Sequence, residues 1–85
     1  MNESSWFVYI IRNVKGHFYT GISTDVDRRF SEHAGKKKGA KFFKTGAPLE
    51  VVYQKKFPNR SLASKFEASI KKLPRNKKEL LILEG

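Results

Sequence analysis

Residues 6–33, WFVYIIRNVKGHFYTGISTDVDRRFSEH, decide the fold. Residues 6–12 are almost wholly aromatic or β-branched and predict a buried central strand. Asn13-Val14-Lys15-Gly16 supplies turn residues, with Gly16 free to take positive φ. Residues 17–22 resume the strand pattern, so the two segments are expected to form an antiparallel hairpin. Gly21 inside the second strand costs stability unless something approaches the backbone closely there. Thr24 is expected to cap a helix, with Asp27 as a capping-box-like partner and Asp25 in the favourable first turn. Val26 and Phe30 form its inward stripe, and Ala34-Gly35 ends it.

Beyond this segment, residues 36–48, KKKGAKFFKTGAP, read as a glycine-punctuated basic loop whose length suggests a functional segment. Phe42 and Phe43 either tack it to the body or offer a stacking face. Residues 49–57 predict a third strand with Val51, Val52, Tyr53 and Phe57 as its apolar content. Ser61 is expected to cap a second helix carrying Leu62, Phe66, Ile70 and Leu73 at near-helical spacing. Pro74 stops or kinks it. Residues 76–83 predict a final helix whose Leu80, Leu81 and Leu83 dock on the sheet. The expected architecture is α+β, a three-stranded antiparallel sheet flanked by helices in the order β-β-α-β-α-α. No internal repeat or interdomain linker is visible.

Charge dominates the composition: 18 Lys and Arg against 8 Asp and Glu leave a net charge of +10 over 85 residues. From Ala34 to Phe66 there are nine basic residues and one acid, Glu50. Such a field attracts polyanions, nucleic acid above all, because neutralised phosphates release counterions. No cysteine is present, which excludes disulfides and thiolate metal sites. The apolar runs are too short to span a bilayer. The first residues lack a charged-then-apolar leader, so a cytoplasmic location and no membrane partner are expected.

Two phenols, Tyr9 and Tyr19, fall on the two strands. Arg29 and His33 lie four apart, one turn from each other on a shared helical face. Each has a plain structural alternative. The tyrosines also suit ordinary strand packing, Arg29 and His33 a solvated helix face, and Glu67 a surface ion pair with Lys71 at i+4. Phosphodiester cleavage, in contrast, needs a proton acceptor for water, charge stabilisation for the transition state and a protonated or metal-bound leaving oxygen.

In this order these residues resemble the GIY-YIG nuclease domain, in particular its small stand-alone bacterial members. The first signature tripeptide corresponds to Phe7-Val8-Tyr9 and the second to Tyr19-Thr20-Gly21. Arg29 with His33 fits the family's Arg-x-x-x-His/Tyr element, and Glu67 its metal-binding glutamate. Gly39-Ala40-Lys41 and Ala47-Pro48 look like the loop of the stand-alone members. The resemblance covers residues 4–82 as one domain, leaving 1–3 and 83–85 as termini. The first tripeptide keeps only its tyrosine, and Thr20 replaces an isoleucine. For the asparagine that many active members carry after the glutamate, Asn76 is the only candidate, and its role stays open.

The resemblance implies a metal-dependent endonuclease acting on structured DNA, as in DNA repair. Tyr9 would be the general base or water-positioner, Tyr19 its partner and Arg29 the clamp on the scissile phosphate. His33 would relay a proton or hydrogen-bond the phosphate, and Gly21 would permit close approach. Glu67 would hold one divalent ion, Mg²⁺ or Mn²⁺, weakly bound without substrate. The loop lysines Lys36, Lys37, Lys38, Lys41 and Lys44 would contact phosphates. The protein is expected to act as a monomer, with a partner protein supplying specificity. Two alternatives stand beside this: a catalytically weak or inactive nucleic-acid-binding module of the same fold, and a basic protein-interaction domain. The joint presence of Tyr9, Arg29 and Glu67 separates them, since only a nuclease needs all three.

Overall fold

The computed structural model describes residues 5–34 and 48–85, apart from the side chains of His33 and Ala34. Its elements are β1 (Trp6–Asn13), β2 (Phe18–Ser23), α1 (Val26–Ala34), β3 (Pro48–Phe57), α2 (Arg60–Lys71) and α3 (Arg75–Glu84). The strands form one sheet in the order β2-β1-β3, with both pairings antiparallel. This is the expected α+β arrangement, and β1 is the central strand. The basic loop residues Lys36, Lys37, Lys38, Lys41 and Lys44, with Phe42 and Phe43, lie outside the described residues. No described helix is long and apolar enough to cross a membrane.

The hairpin turn sets the register of the β1–β2 ladder. Gly16 takes a φ of +86°, which a side chain rarely tolerates. The buried Asn13 side chain accepts hydrogen bonds from the amides of Lys15 at 3.0 Å and His17 at 2.8 Å. With the ladder so fixed, Tyr9 pairs with Gly21 and Ile11 with Tyr19, whereas Ile10 pairs with Thr20 and Val8 with Ile22. Cross-strand partners share a face, so the two sets point to opposite sides of the sheet.

Both sides are covered, which is why β1 is apolar from Trp6 to Ile11. On one side Tyr9, Ile11 and Val26 are buried, with Phe7, Tyr19, Phe30 and Val51 packed around them under α1. On the other, Val8, Ile10 and Tyr53 meet Ala63 and Ile70 of α2, with Phe66, Leu81 and Ile82 beside them.

Local details depart from the sequence expectation at the helix starts. Asp25, not Thr24, caps α1, its carboxylate accepting from the Arg28 amide at 3.0 Å. The reason is that β2 runs on to Ser23, whose hydroxyl accepts from the Asp25 amide at 2.9 Å and delays the first turn. Asn59, not Ser61, caps α2, accepting from the Leu62 amide at 2.9 Å. That start rotates the stripe: Ala63 and Ile70 face the core and Leu62 is left exposed. On α3, Leu80 and Leu83 are 49% and 81% exposed, whereas Leu81 and Ile82 pack inward. A helix turns about 100° per residue, so consecutive leucines cannot all face one sheet.

Candidate functional site

The site face is the α1 side of the hairpin. Tyr9 stands in the central strand and is only 1% exposed. It lies across Gly21, its register partner on β2. A Cβ added at Gly21 would sit 2.6 Å from the Tyr9 hydroxyl and 2.8 Å from the ring carbon that bears it. Glycine is therefore required here because a phenol fills the space above the strand, which answers the question its presence raises in the sequence. Tyr19 flanks this contact, its ring centroid 6.3 Å from that of Tyr9 and tilted by 42°.

Arg29 reaches the pair from α1. Val26 and Phe30 turn one face of that short helix onto the sheet, and Arg29, next to Phe30, is carried to the rim of the buried patch. Its guanidinium donates a hydrogen bond to the Tyr9 phenol oxygen, and this contact leads the causes that hold the guanidinium firmly charged. A second partner is Glu32, which accepts from Arg29 Nη1 at 3.1 Å. The sequence reading left out Glu32; its i,i+3 spacing from Arg29 is the signal that points to it.

The electrostatics of Tyr9 are a contest. Burial pushes its phenol above the ordinary value, the Arg29 hydrogen bond and charge pull it down, and Tyr19 and Glu67 push it up again. Burial prevails. Tyr9 is thus a neutral phenol at neutral pH, and among the described residues the cation that acts on it is Arg29.

Glu67 belongs to α2, on the other side of the sheet, yet it acts on Tyr9 electrostatically. The edge position of β2 explains this, because Tyr9 points across Gly21 toward that edge and α2 packs beside β2. Glu67 also pairs with Lys71 at 3.3 Å, the surface ion pair that the i+4 spacing suggests. Of the residues singled out in the sequence, Tyr19 and Arg29 meet the Tyr9 phenol directly, and Glu67 acts on it through its charge. His33 lies in α1 one turn after Arg29, with its side chain outside the description. Asn76 is exposed in the first turn of α3.

Among the described residues there is no cluster of three or more His, Cys, Asp or Glu able to enclose a metal ion. Glu67 is accordingly a single carboxylate at the rim, its side chain 21% exposed. A hard divalent cation that takes oxygen ligands and keeps several waters suits one carboxylate plus substrate oxygens. It does not suit a closed protein cage.

Residues 5–79 match the family model of the GIY-YIG catalytic domain. A UPF0213 protein of Vibrio campbellii is 45% identical over 83 residues, covering 98% of this chain and 79% of the relative. The UPF0213 protein YhbQ of Escherichia coli strain K12 is 41% identical over 80 residues, covering 94% and 79%. The solution NMR structure of a UPF0213 protein from Bacillus halodurans matches with a TM-score of 0.59 at 41% identity, covering 92% of this chain and 82% of that one.

Proposed function

The chain belongs to the GIY-YIG catalytic-domain family, and from that premise we propose that it is a metal-dependent endonuclease cutting phosphodiester bonds in structured DNA. The observation that carries the reading is the buried Tyr9 phenol, hydrogen-bonded by Arg29 over a glycine that leaves it room. A strand aromatic kept only for packing has no use for a guanidinium at its hydroxyl.

Each side chain then has a task that its surroundings suit. With substrate bound, Tyr9 gives up its proton to solvent, and the resulting phenolate takes a proton from the attacking water as the water oxygen bonds to phosphorus. The P–O bond to the leaving oxygen breaks, and that oxygen departs with a proton from His33 or solvent. The charged Arg29 beside it stabilises both the phenolate so formed and the extra negative charge on the phosphoryl oxygens. Burial raises the cost of that phenolate, and keeps the phenol neutral until substrate arrives. Tyr19 walls the phenol on one side and fixes its ring. Glu67 is the residue that would hold one Mg²⁺ or Mn²⁺ ion, with waters and phosphate oxygens completing the shell. When bound, that ion supplies Lewis-acid stabilisation of charge at the phosphate. His33 is assigned a hydrogen bond to phosphate or a proton-relay role. Recognition comes from phosphate contacts rather than base edges, with a partner protein directing the domain to its substrate. The protein acts as a cytoplasmic monomer.

The test is incubation with labelled duplex, single-stranded, flap and four-way-junction DNA, with Mg²⁺ or Mn²⁺, beside Glu67→Gln. Metal-dependent cutting by the wild type and none by the variant supports the proposal. Binding without cutting on every substrate rejects it in favour of an inactive binding module of this fold. Neither binding nor cutting points to a basic protein-interaction domain.

A further inference from the structure

Residues 71–78, KKLPRNKK, place five cations and no acid at the corner where α2 hands over to α3. Two are engaged: Lys71 pairs with Glu67 at 3.3 Å, and Arg75 pairs with Glu79 at 2.9 Å. The other three, Lys72, Lys77 and Lys78, make no ion pair among the described residues; Lys72 and Lys77 are exposed and Lys78 half-buried. Like charges this close lie within a Debye length of about 8 Å at physiological salt and repel one another. The first turn of α3 adds to the strain, because it holds cations and no acid where the helix dipole favours carboxylates.

The position of the corner gives the charges a use. Lys71 is tied to Glu67, the carboxylate that acts on Tyr9. On the other side, the Arg75 guanidinium lies 4.5 Å from the ring centroid of Phe18, the neighbour of Tyr19 on β2. The corner is therefore tied to Glu67 within α2 and to the edge strand β2, on the face of the sheet opposite Tyr19. A helix rises about 1.5 Å per residue, so Lys72, the C-cap of α2, stands five residues or about 7.5 Å along the helix from Glu67, and α3 starts three residues later. That is the range of the phosphates next to a scissile bond. Leu80 and Leu83 are exposed further along α3, but two leucines on a ten-residue helix make a poor membrane anchor beside so dense a charge.

We infer that the α2–α3 corner is a phosphate-tracking surface on which Lys72, Lys77 and Lys78 hold the DNA backbone flanking the cleavage site. The inference rests on the nuclease reading for its choice of polyanion. It adds Lys72, Lys77 and Lys78 to the lysines of residues 36–44 named from the sequence.

The test is DNA binding by fluorescence anisotropy over a range of salt concentrations, in EDTA so that no cutting occurs. Wild type is compared with the triple variant Lys72→Gln, Lys77→Gln, Lys78→Gln, with the corresponding triple arginine variant, and with Lys72→Gln alone. Circular dichroism confirms that each is folded, and glutamine and arginine both suit a helix. The log–log salt slope is expected to shrink by about 1 per lysine removed, by about 3 in all, and to be kept by arginine. An unchanged slope in the glutamine variant, with wild-type cutting intact, overturns the corner and leaves the nuclease reading standing. A slope that shrinks while wild type cuts nothing supports the corner and removes the nuclease. Wild-type binding to phosphatidylglycerol vesicles but not to DNA overturns the inference, and so does binding to neither.

Discussion

Tyr9 and Gly21 face each other across the β1–β2 ladder, and the Tyr9 phenol occupies the space that a side chain at Gly21 would need. The site is built on this contact, because it lets a large aromatic lie flat over its neighbouring strand with its hydroxyl toward the sheet edge. It also couples the stability of the hairpin to the position of the proposed base.

Gly21→Ala is expected to cost about 1–3 kcal/mol of folding stability, the usual range for overpacking. The new methyl would lie 2.6 Å from the hydroxyl and 3.3 Å from Tyr19, and the buried Tyr9 has nowhere to retreat. Urea unfolding measures the cost. In a Tyr9→Ala background the penalty should nearly vanish, as a double-mutant cycle on contacting residues requires. Equal penalties in the two backgrounds would show that the crowding is not with Tyr9.

Arg29→Ala should reduce cleavage by about 2–4 kcal/mol of transition-state stabilisation, the loss typical of a positioned electrostatic donor. The Arg29–Glu32 pair is solvent-facing, its side chains 40% and 39% exposed, so removing it changes folding stability by at most about 1 kcal/mol. The variant should also lift the Tyr9 phenol further above its ordinary value, since Arg29 is what lowers it. Single-turnover rates and a spectroscopic tyrosine titration read the two effects separately. An unchanged rate makes Arg29 a surface residue.

Because burial holds the Tyr9 proton more tightly in the folded protein than in the unfolded chain, Tyr9 contributes stability that is fully present below a pH of about 10. That contribution is lost as pH rises through the raised native value. Tyr9→Phe should therefore show a shallower loss of stability on the alkaline side. Tyr53, also raised by burial, adds a loss of the same sign that Tyr53→Phe removes. For cleavage, a phenolate base makes the rate climb with pH without levelling below about 10. A rate independent of pH from about 6 to 9 would assign Tyr9 to orienting water instead.

Glu67→Gln keeps the shape of the side chain and removes its charge. Cleavage should fall to background while DNA affinity in EDTA stays the same or rises slightly, since a negative charge near the phosphates is gone. The lost pair with Lys71, whose side chain is 57% exposed, costs at most about 1 kcal/mol in thermal or urea unfolding. Cutting by the variant at the wild-type rate would remove Glu67 from the mechanism.

Much of this molecule is written locally. Asn13 and Gly16 specify the hairpin turn, the unbroken apolar run of β1 marks a strand covered on both faces, and Pro74 separates two helices. Tyr9, Tyr19, Gly21, Arg29 and Glu67 are legible as candidates because their order along the chain resembles a known family. Local pattern fails at the caps. Asp25 and Asn59 displace Thr24 and Ser61 because the neighbouring strand and turn decide where each helix begins. It fails again at Leu62, Leu80 and Leu83, where the turn of about 100° per residue carries apolar side chains round to solvent.

What the sequence by itself determined is the element order, the net charge of +10 and the residue types available for chemistry. Only the tertiary structure decided that the phenol of Tyr9, and not a substrate, fills the space above Gly21. Only it brought a glutamate from the opposite layer to bear on that phenol, and set burial above positive charge in controlling its proton. The physical reason is range. Turn and strand preferences act over a few neighbouring residues, whereas desolvation, close packing and the field of a distant carboxylate exist only once the chain has folded back on itself.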